Sequence, residues 1–119
     1  MAGKNYRDLI AWQKAMELTV EVYAATGAYP AEERFGLRSQ MRSAAVSIPA
    51  NIAEGQGRRS AGAFTNHLSI AHGSIRELET QTLLSGMLGY LKPDVVDRLI
   101  ARASEVGRLV TALSAALKE

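Results

Sequence analysis

The sequence of 119 residues has no cysteine, only three prolines, and few aromatic residues, which make up 6 % of the chain. Without cysteine, disulfide scaffolds, thiolate zinc sites and cysteine nucleophiles are excluded, and an oxidising compartment is disfavoured. Long apolar runs are also missing. The longest uncharged stretch, residues 60–75, is polar and too short to span a membrane. Residues 1–16 contain no apolar stretch of signal-peptide type. We therefore expect a cytoplasmic protein that does not engage a membrane.

Hydrophobic residues make up 47 % of the chain and charged residues 22 %, which is typical of a globular protein and too apolar for a disordered one. The length corresponds to one domain. The sequence therefore predicts a single domain over residues 1–119.

Clusters of glycine and proline at residues 27–30, 55–57 and 89–93 divide the chain into four segments. In each segment, apolar residues recur at steps of three and four, which is typical of one helical face. The predicted core stripe of the first helix consists of Leu9, Trp12, Met16, Val20 and Tyr23. The predicted core stripe of the second helix, over about residues 32–54, consists of Leu37, Met41, Ala44, Ala45, Ile48 and Ile52.

The third helix follows Ser60 in a capping position and ends at Gly89, and the fourth opens with Pro93 in its first turn. Their predicted stripes are Phe64, Leu68, Ala71, Ile75 and Leu78, and then Val96, Leu99, Ala103, Val106, Val110, Leu113 and Leu117. In the first helix, Asp8 is placed to cap the start and Gly27 to end it. No segment alternates like a half-buried strand, and the connections are short. We predict an all-α, antiparallel, up-down four-helix bundle with a long third helix and a second helix kinked at Pro49.

Two segments carry more apolar surface than one bundle core needs. On the first helix these residues lie away from the predicted core stripe, and late in the third helix they spread around a wide arc. The predicted subunit interface consists of Ala11, Ala15, Leu18, Val22, Leu83, Leu84, Met87, Leu88 and Leu91. Because monomers seldom expose large apolar patches, the pattern favours a homo-oligomer; the alternative is that the loops cover these residues.

The positive charge is concentrated in the middle of the chain. Residues 34–76 contain six arginines and one glutamate, a balance of +5, while the whole chain carries only +2. Arg34, Arg38 and Arg42 follow at a spacing of four, so they need an anionic ligand or counter-charges. The candidate counter-charges are Glu32, Glu33, Glu17 and Glu21.

The segment 55–60 places Arg58 and Arg59 at the predicted start of the third helix, where free amides and the helix dipole favour an anion. It does not have the spacing of a nucleotide-binding loop. The alternative is that Gly55 and Gly57 are ordinary helix C-terminal glycines.

No metal, cofactor or catalytic set emerges from the spacing of the remaining residues. His67 and His72 are five apart and cannot chelate one metal as an i, i+4 pair would. Trp12 is more consistent with the core than with base stacking. An enzyme would need a convergent set such as Glu54, His72 and Glu79, and we expect none.

Several stretches together resemble the four-helix-bundle family of 23S ribosomal RNA intervening-sequence proteins. The stretches are DLIAWQKA (8–15), FGL (35–37), QMRSAAVSIPANIAEG (40–55), GR (57–58), IAHGS (70–74), ELETQ (77–81) and LGYL (88–91). The resemblance covers nearly the whole chain apart from the fourth helix, and its long middle block is highly specific.

The resemblance implies antiparallel bundles that associate as homopentamers, with no established biochemical role. A distantly similar protein, the accessory variability protein of diversity-generating retroelements, is a basic pentamer that binds nucleic acid and a reverse transcriptase. By this likeness we expect a non-enzymatic scaffold that binds RNA or DNA through Arg34, Arg38, Arg42, Arg58 and Arg59. The alternative is an assembly module without a nucleic-acid ligand, in which helix 2 and late helix 3 contact other subunits or a protein partner.

Overall fold

The computed structural model describes residues 5–118, which form four α-helices and no strand. The helices are α1 (Ile10–Thr26), α2 (Leu37–Gln56), α3 (Ala61–Met87) and α4 (Pro93–Leu117). One-turn 3-10 helices at Tyr6–Asp8 and Ala31–Glu33 precede α1 and α2. Within the described range, α1 and α3 each pack against α2 and α4, and the two diagonal pairs make no close contact. The prediction of an antiparallel up-down four-helix bundle is confirmed.

The predicted helix ends agree with the structure at four places. Gly27 is the C-cap of α1, and Pro93 is the first residue of α4. The Ser60 hydroxyl caps α3 by accepting the backbone N–H of Ala63 at 3.1 Å. After α3, Gly89 adopts a φ of +79°, which allows the N–H of the next residue to reach back to a carbonyl in the last turn.

Two predicted helix starts are wrong. Helix α2 begins at Leu37, because Gly36 has non-helical backbone angles (φ −107°, ψ −118°). Residues 31–33 form a separate turn, and Arg34 therefore precedes α2. Asp8 does not cap α1, whose N-cap is Leu9 without any side-chain hydrogen bond.

Pro49 is buried within α2, and the helix continues past it to Gln56. Because proline has no N–H, the carbonyl of Ala45 one turn earlier lacks its helical donor. The hydroxyl of Thr19 on α1 lies 3.1 Å from that carbonyl oxygen and shares its hydrogen between it and the carbonyl of Ala15, at 2.8 Å. The neighbouring helix thus satisfies the group that Pro49 leaves unpaired. The kink itself stays a prediction.

The core-facing side of α1 differs from the predicted one. The structure buries Ala11, Ala15, Leu18 and Val22 in the core of the protomer, so their assignment to a subunit interface is wrong. Of the predicted core stripe, Leu9 is buried and Trp12 is partly buried, whereas Met16, Val20 and Tyr23 are exposed. Both sides of α1 are apolar, and the side with the small residues faces inward, because alanines allow α1 to lie close to its neighbours.

At the end of α3, four of the five predicted interface residues are exposed. Leu83, Leu84, Met87 and Leu88 lie on the surface, and Met87 is 85 % exposed. Leu91 is buried in the core of the protomer, so its assignment to the interface is wrong. An apolar patch therefore remains at this end of the bundle, with four members.

Helices α2 and α3 pack closely at Gly55. A Cβ atom at this position would lie 2.7 Å from the Cβ atom of His67 and 2.9 Å from a ring carbon of Phe64. Gly55 is therefore a contact residue in the last turn of α2. Gly57 is the C-cap of this helix, as expected of a helix C-terminal glycine. Among the described residues, no helix has the length and apolarity needed to cross a membrane.

Candidate nucleic-acid interface

The three arginines predicted to form one stripe lie together in an open groove between the end of α1 and the first half of α2. The groove has a volume of about 640 Å³, and we refer to it as the Arg groove. Its lining residues are Tyr23, Arg34, Phe35, Arg38, Ser39, Arg42, Ser43, Val46 and Ser47. Arg38 and Arg42 lie one turn apart on α2, and Arg34 comes from the connection before it.

Glu33 anchors the connection that carries Arg34. One of its carboxylate oxygens accepts the backbone N–H of Leu37 at 2.9 Å, at the start of α2, where the helix dipole favours negative charge. The other accepts the hydroxyl of Tyr90 at 2.9 Å, in the connection between α3 and α4. This hydrogen bond to Glu33 is the main cause that raises the pKa of Tyr90 above its ordinary value. Both oxygens of Glu33 are thus engaged by groups other than arginine.

Arg42 has a structural role in the groove. Its Nε donates to the hydroxyl of Thr26 at 2.9 Å, and one of its terminal nitrogens donates to the carbonyl of Tyr23 at 3.0 Å. Its guanidinium also lies 4.4 Å from the centre of the Tyr23 ring. Arg42 therefore ties the carboxyl end of α1 to α2, where a cation is favoured by the helix dipole.

The carboxylates that the sequence offered as counter-charges do not pair with these arginines. Glu21 pairs with Arg98 at 3.4 Å and with Arg102 at 3.0 Å, and Glu17 lies 3.9 Å from Arg102. Within residues 5–118, none of the three arginines of the Arg groove has a carboxylate oxygen within 4.0 Å. The interpretation that Glu17, Glu21, Glu32 or Glu33 pairs with them is wrong.

Two aromatic residues of the groove were missed as site residues. Phe35 is 86 % exposed, and the guanidinium of Arg34 lies 5.3 Å from the centre of its ring. Tyr23 belonged to the predicted core stripe but lies exposed beside Arg42. Exposed aromatic rings next to arginines form the combination on which nucleic-acid bases stack. The signal in the sequence was an aromatic residue between two arginines in a glycine-containing connection.

The second predicted anion site, around Arg58 and Arg59, lies apart from the Arg groove. These residues line a different hollow near the start of α3. Arg58 pairs with Glu54 at 3.4 Å, whereas Arg59 is exposed and has no carboxylate within 4.0 Å among the described residues. Since Arg38 and Arg58 are twenty residues apart along α2 and its end, the two sites are separated by about 30 Å.

The residues named for a catalytic set are held in three different interactions. Glu54 pairs with Arg58, Glu79 pairs with Arg76 at 2.7 Å, and the Nε2 atom of His72 lies 2.8 Å from the Thr111 hydroxyl. In the part of the chain that is described, no group of three His, Asp or Glu residues could hold a metal ion. Trp12 packs partly buried against the core, edge-on to Tyr6 at 5.4 Å between ring centres.

Comparisons with known proteins agree with the fold. No curated protein sequence matches the chain. A solved structure, described as a protein of unknown function from the S23 ribosomal protein family of Bacteroides thetaiotaomicron VPI-5482, is similar with a TM-score of 0.80. The likeness covers 88 % of this chain and 98 % of that chain at 22 % identity, which shows the shared fold. The family model described as 23S rRNA-intervening sequence protein matches residues 7–112. The chain belongs to the family of 23S rRNA-intervening sequence proteins.

Proposed function

We propose that this protein is a non-enzymatic, homo-oligomeric scaffold that binds RNA weakly at each subunit and more tightly through several subunits at once. The observation that carries the proposal is the Arg groove, which combines arginines lacking carboxylate partners with the exposed ring of Phe35. The loop with Arg58 and Arg59 supplies a second contact. The family description, which links its members to intervening sequences in 23S rRNA, favours RNA over DNA.

The chemistry of the groove suits single-stranded RNA. Arg34 and Arg38 offer planar forks of N–H donors that match phosphate oxygens. The ring of Phe35 offers a stacking surface for a base, and such stacking contributes about 1–3 kcal/mol per base. Few phosphate contacts at one subunit give weak, salt-sensitive binding. Affinity in the cell would then depend on several grooves that bind one strand.

The apolar patch at the end of α3 supports the oligomer. Leu83, Leu84, Met87 and Leu88 are exposed near one end of the bundle, and another copy of the chain would shelter them. The number of subunits follows from the family resemblance, which favours five. The mass of the protein in solution tests this part of the proposal, because a folded 12.8 kDa particle at low concentration would contradict it.

RNA binding is tested by a fluorescence anisotropy titration with a labelled, mixed-sequence single strand at two salt concentrations. We expect the double variant Arg34→Gln/Arg38→Gln to lower affinity about tenfold or more and to reduce the salt slope by about 1.4, corresponding to two phosphate contacts. The matched control is Arg98→Gln/Arg102→Gln, which removes the same charge from arginines that already pair with Glu17 and Glu21. An equal loss in both variants, or binding that does not depend on salt, would contradict the proposal.

The second candidate function is an assembly module in which the Arg groove contacts another subunit or a protein partner. The observation that favours it is the apolar share of the groove, since Tyr23, Phe35 and Val46 are all exposed there. It predicts that Arg38→Ala or Arg42→Ala lowers the oligomer mass measured by light scattering, while Arg58→Ala and Arg59→Ala leave it unchanged. For the RNA scaffold, Arg38→Ala weakens RNA binding and leaves the mass unchanged.

A further inference from the structure

A second groove lies on the opposite side of the bundle, between α3 and α4, and neither proposed function uses it. It has a volume of about 350 Å³. Its polar lining consists of His72, Arg76, Ser104, Arg108 and Thr111, and the rest is Gly107 and three alanines of α4. We refer to it as the α3–α4 groove. Its size is within the range of small-molecule sites.

Two hydrogen bonds fix the polar groups of this groove. The Nε2 atom of His72 lies 2.8 Å from the Thr111 hydroxyl, which joins α3 to α4 across the groove. A terminal nitrogen of Arg108 donates to the Ser104 hydroxyl at 2.9 Å. Arg108 lies one turn after Ser104 on α4, so this bond fixes one terminal nitrogen of its guanidinium group within the lining of the groove. The remaining N–H groups of the fork stay available for a ligand.

Small residues on the α4 side of the groove keep the space next to His72 open. Among the described residues, a Cβ atom at Gly107 would meet the ring of His72 and no other group, at 3.8 Å, which is an ordinary van der Waals distance. An alanine would therefore fit at Gly107, whereas a leucine side chain would extend into the groove. The alanines at 103, 112 and 115 line the rest of this wall. Space above His72 thus depends on the small residue at 107.

The positive charge of the α3–α4 groove favours an anionic ligand. Among the described residues, the lining contains no carboxylate; its polar groups are two arginines, two hydroxyls and an imidazole. Arg76 pairs at the margin with Glu79 at 2.7 Å. Arg108 has no carboxylate oxygen within 4.0 Å among residues 5–118. The groove therefore carries a net positive charge and an excess of hydrogen-bond donors, which complements an anion with several acceptor oxygens.

We propose that the α3–α4 groove binds a phosphate group, with Arg108 as the main charged contact and Ser104 and Arg76 as further donors. The small-residue wall of α4 accommodates the organic part attached to the phosphate. Two sources share this chemistry, a free phosphomonoester of nucleotide size and the backbone of an RNA strand. The site is independent of the Arg groove, because the two grooves lie between different pairs of helices.

The test is a titration of the 15N-labelled protein followed by the amide signals of Gly107 and Thr111. The probes are inorganic phosphate, adenosine 5′-monophosphate, adenosine, and a short RNA without terminal phosphates. We expect saturable shifts of both amides with inorganic phosphate and with the nucleotide, and none with adenosine. Shifts with the RNA would identify the backbone as the source, and their absence would identify a monoester. Equal shifts with adenosine and its monophosphate, or no saturable shift with either phosphate probe, would overturn the proposal.

Variants separate this site from general charge effects. We expect Arg108→Gln to raise the dissociation constant for adenosine 5′-monophosphate about tenfold, since hydrogen bonds to a charged group contribute at this level. Gly107→Leu should abolish binding by filling the space above His72, and Gly107→Ala should retain it. Arg98→Gln, which removes the same charge elsewhere on α4, and Arg34→Gln/Arg38→Gln should both bind like the wild type. An unchanged dissociation constant in Arg108→Gln, with its helix content intact by circular dichroism, would reject the site.

Discussion

The seam between α1 and α4 and the Arg groove between α1 and α2 both place arginines beside α1, but with different neighbours. In the α1–α4 seam, Arg98 and Arg102 share Glu21, with N–O distances of 3.4 and 3.0 Å. In the Arg groove, Arg34 and Arg38 have no carboxylate oxygen within 4.0 Å in the described part of the chain. The same residue type is therefore neutralised on one side of α1 and left available on the other.

The difference shows that the spacing of arginines does not determine their role. Partly exposed ion pairs like those of the α1–α4 seam contribute little to stability, usually below about 1 kcal/mol each. Glu17 and Glu21 nevertheless lie on the side of α1 that faces α4, where their carboxylates pair with Arg102. The positive charge of the Arg groove follows from where α1 directs its acidic residues.

The largest expected effect concerns the inward side of α1, which supports both regions. Leu18 is fully buried, and Leu18→Ala should lower the free energy of unfolding by about 2–5 kcal/mol in urea denaturation, because the lost contacts leave a cavity. Val20, which is 68 % exposed, provides the matched control. Val20→Ala should change stability by less than about 0.5 kcal/mol. A larger loss for Val20→Ala than for Leu18→Ala would mean that α1 is rotated about its axis.

The side of α1 that faces the core is one part of the fold that the sequence could not predict. The number, order and direction of the helices follow from periodicity, glycine and proline, and so do the ends at Gly27, Ser60 and Pro93. Periodicity could not choose between two apolar sides of α1. That choice depends on how closely the neighbouring helices can approach, and Ala11 and Ala15 decide it in tertiary packing.

The candidate site was partly predictable for a similar reason. The cluster of arginines was visible because their spacing is local. The lack of carboxylate partners for these arginines could not be predicted, because it depends on contacts between residues far apart in sequence. Glu21 pairs with Arg102, and Glu33 accepts a hydrogen bond from Tyr90, 57 residues away. The start of α2 lies later than the sequence predicts because Gly36 has non-helical backbone angles, and Glu33 accepts the N–H of Leu37 at that start.

Within the Arg groove, Arg42 and Arg38 should contribute differently to the stability of the fold. Arg42→Ala removes the hydrogen bonds to Thr26 and to the Tyr23 carbonyl, and should lower the free energy of unfolding by about 1 kcal/mol at this half-exposed position. Arg38→Ala removes a side chain that makes no such bond within residues 5–118, and it should stay within about 0.5 kcal/mol of the wild type. Thermal unfolding of both variants measures the difference. Equal losses would indicate that Arg42 does not hold α1 to α2.

The difference between the paired arginines of the α1–α4 seam and the unpaired arginines of the Arg groove can be removed by substitution. Glu17→Gln/Glu21→Gln leaves Arg98 and Arg102 without partners and should turn the α1–α4 seam into a second RNA-binding surface. We expect RNA affinity to rise about threefold or more at low salt, while stability falls by less than about 1 kcal/mol. The control is Asp97→Asn/Glu105→Gln, which removes the same negative charge from α4 residues outside the ion pairs of the α1–α4 seam. If the control raises affinity equally, net charge and not the freed arginines accounts for the gain.

The smallest effect is expected at Tyr90, whose bond to Glu33 keeps that carboxylate from the arginines of the Arg groove. The pKa of Tyr90 is raised, first because its hydroxyl donates to Glu33, so folding favours the protonated phenol. The stabilisation is therefore fully present below pH 10.0, the ordinary value for tyrosine, and is lost as the pH rises through the higher value of the folded protein. Tyr90→Phe should melt at a lower temperature than the wild type at neutral pH. The melting temperature of the variant should then fall less steeply above pH 10 than that of the wild type. Burial also raises the pKa of Tyr29, so both proteins should lose some stability at alkaline pH. Parallel melting curves of the two proteins from neutral to alkaline pH would show that the bond between Tyr90 and Glu33 does not stabilise the fold.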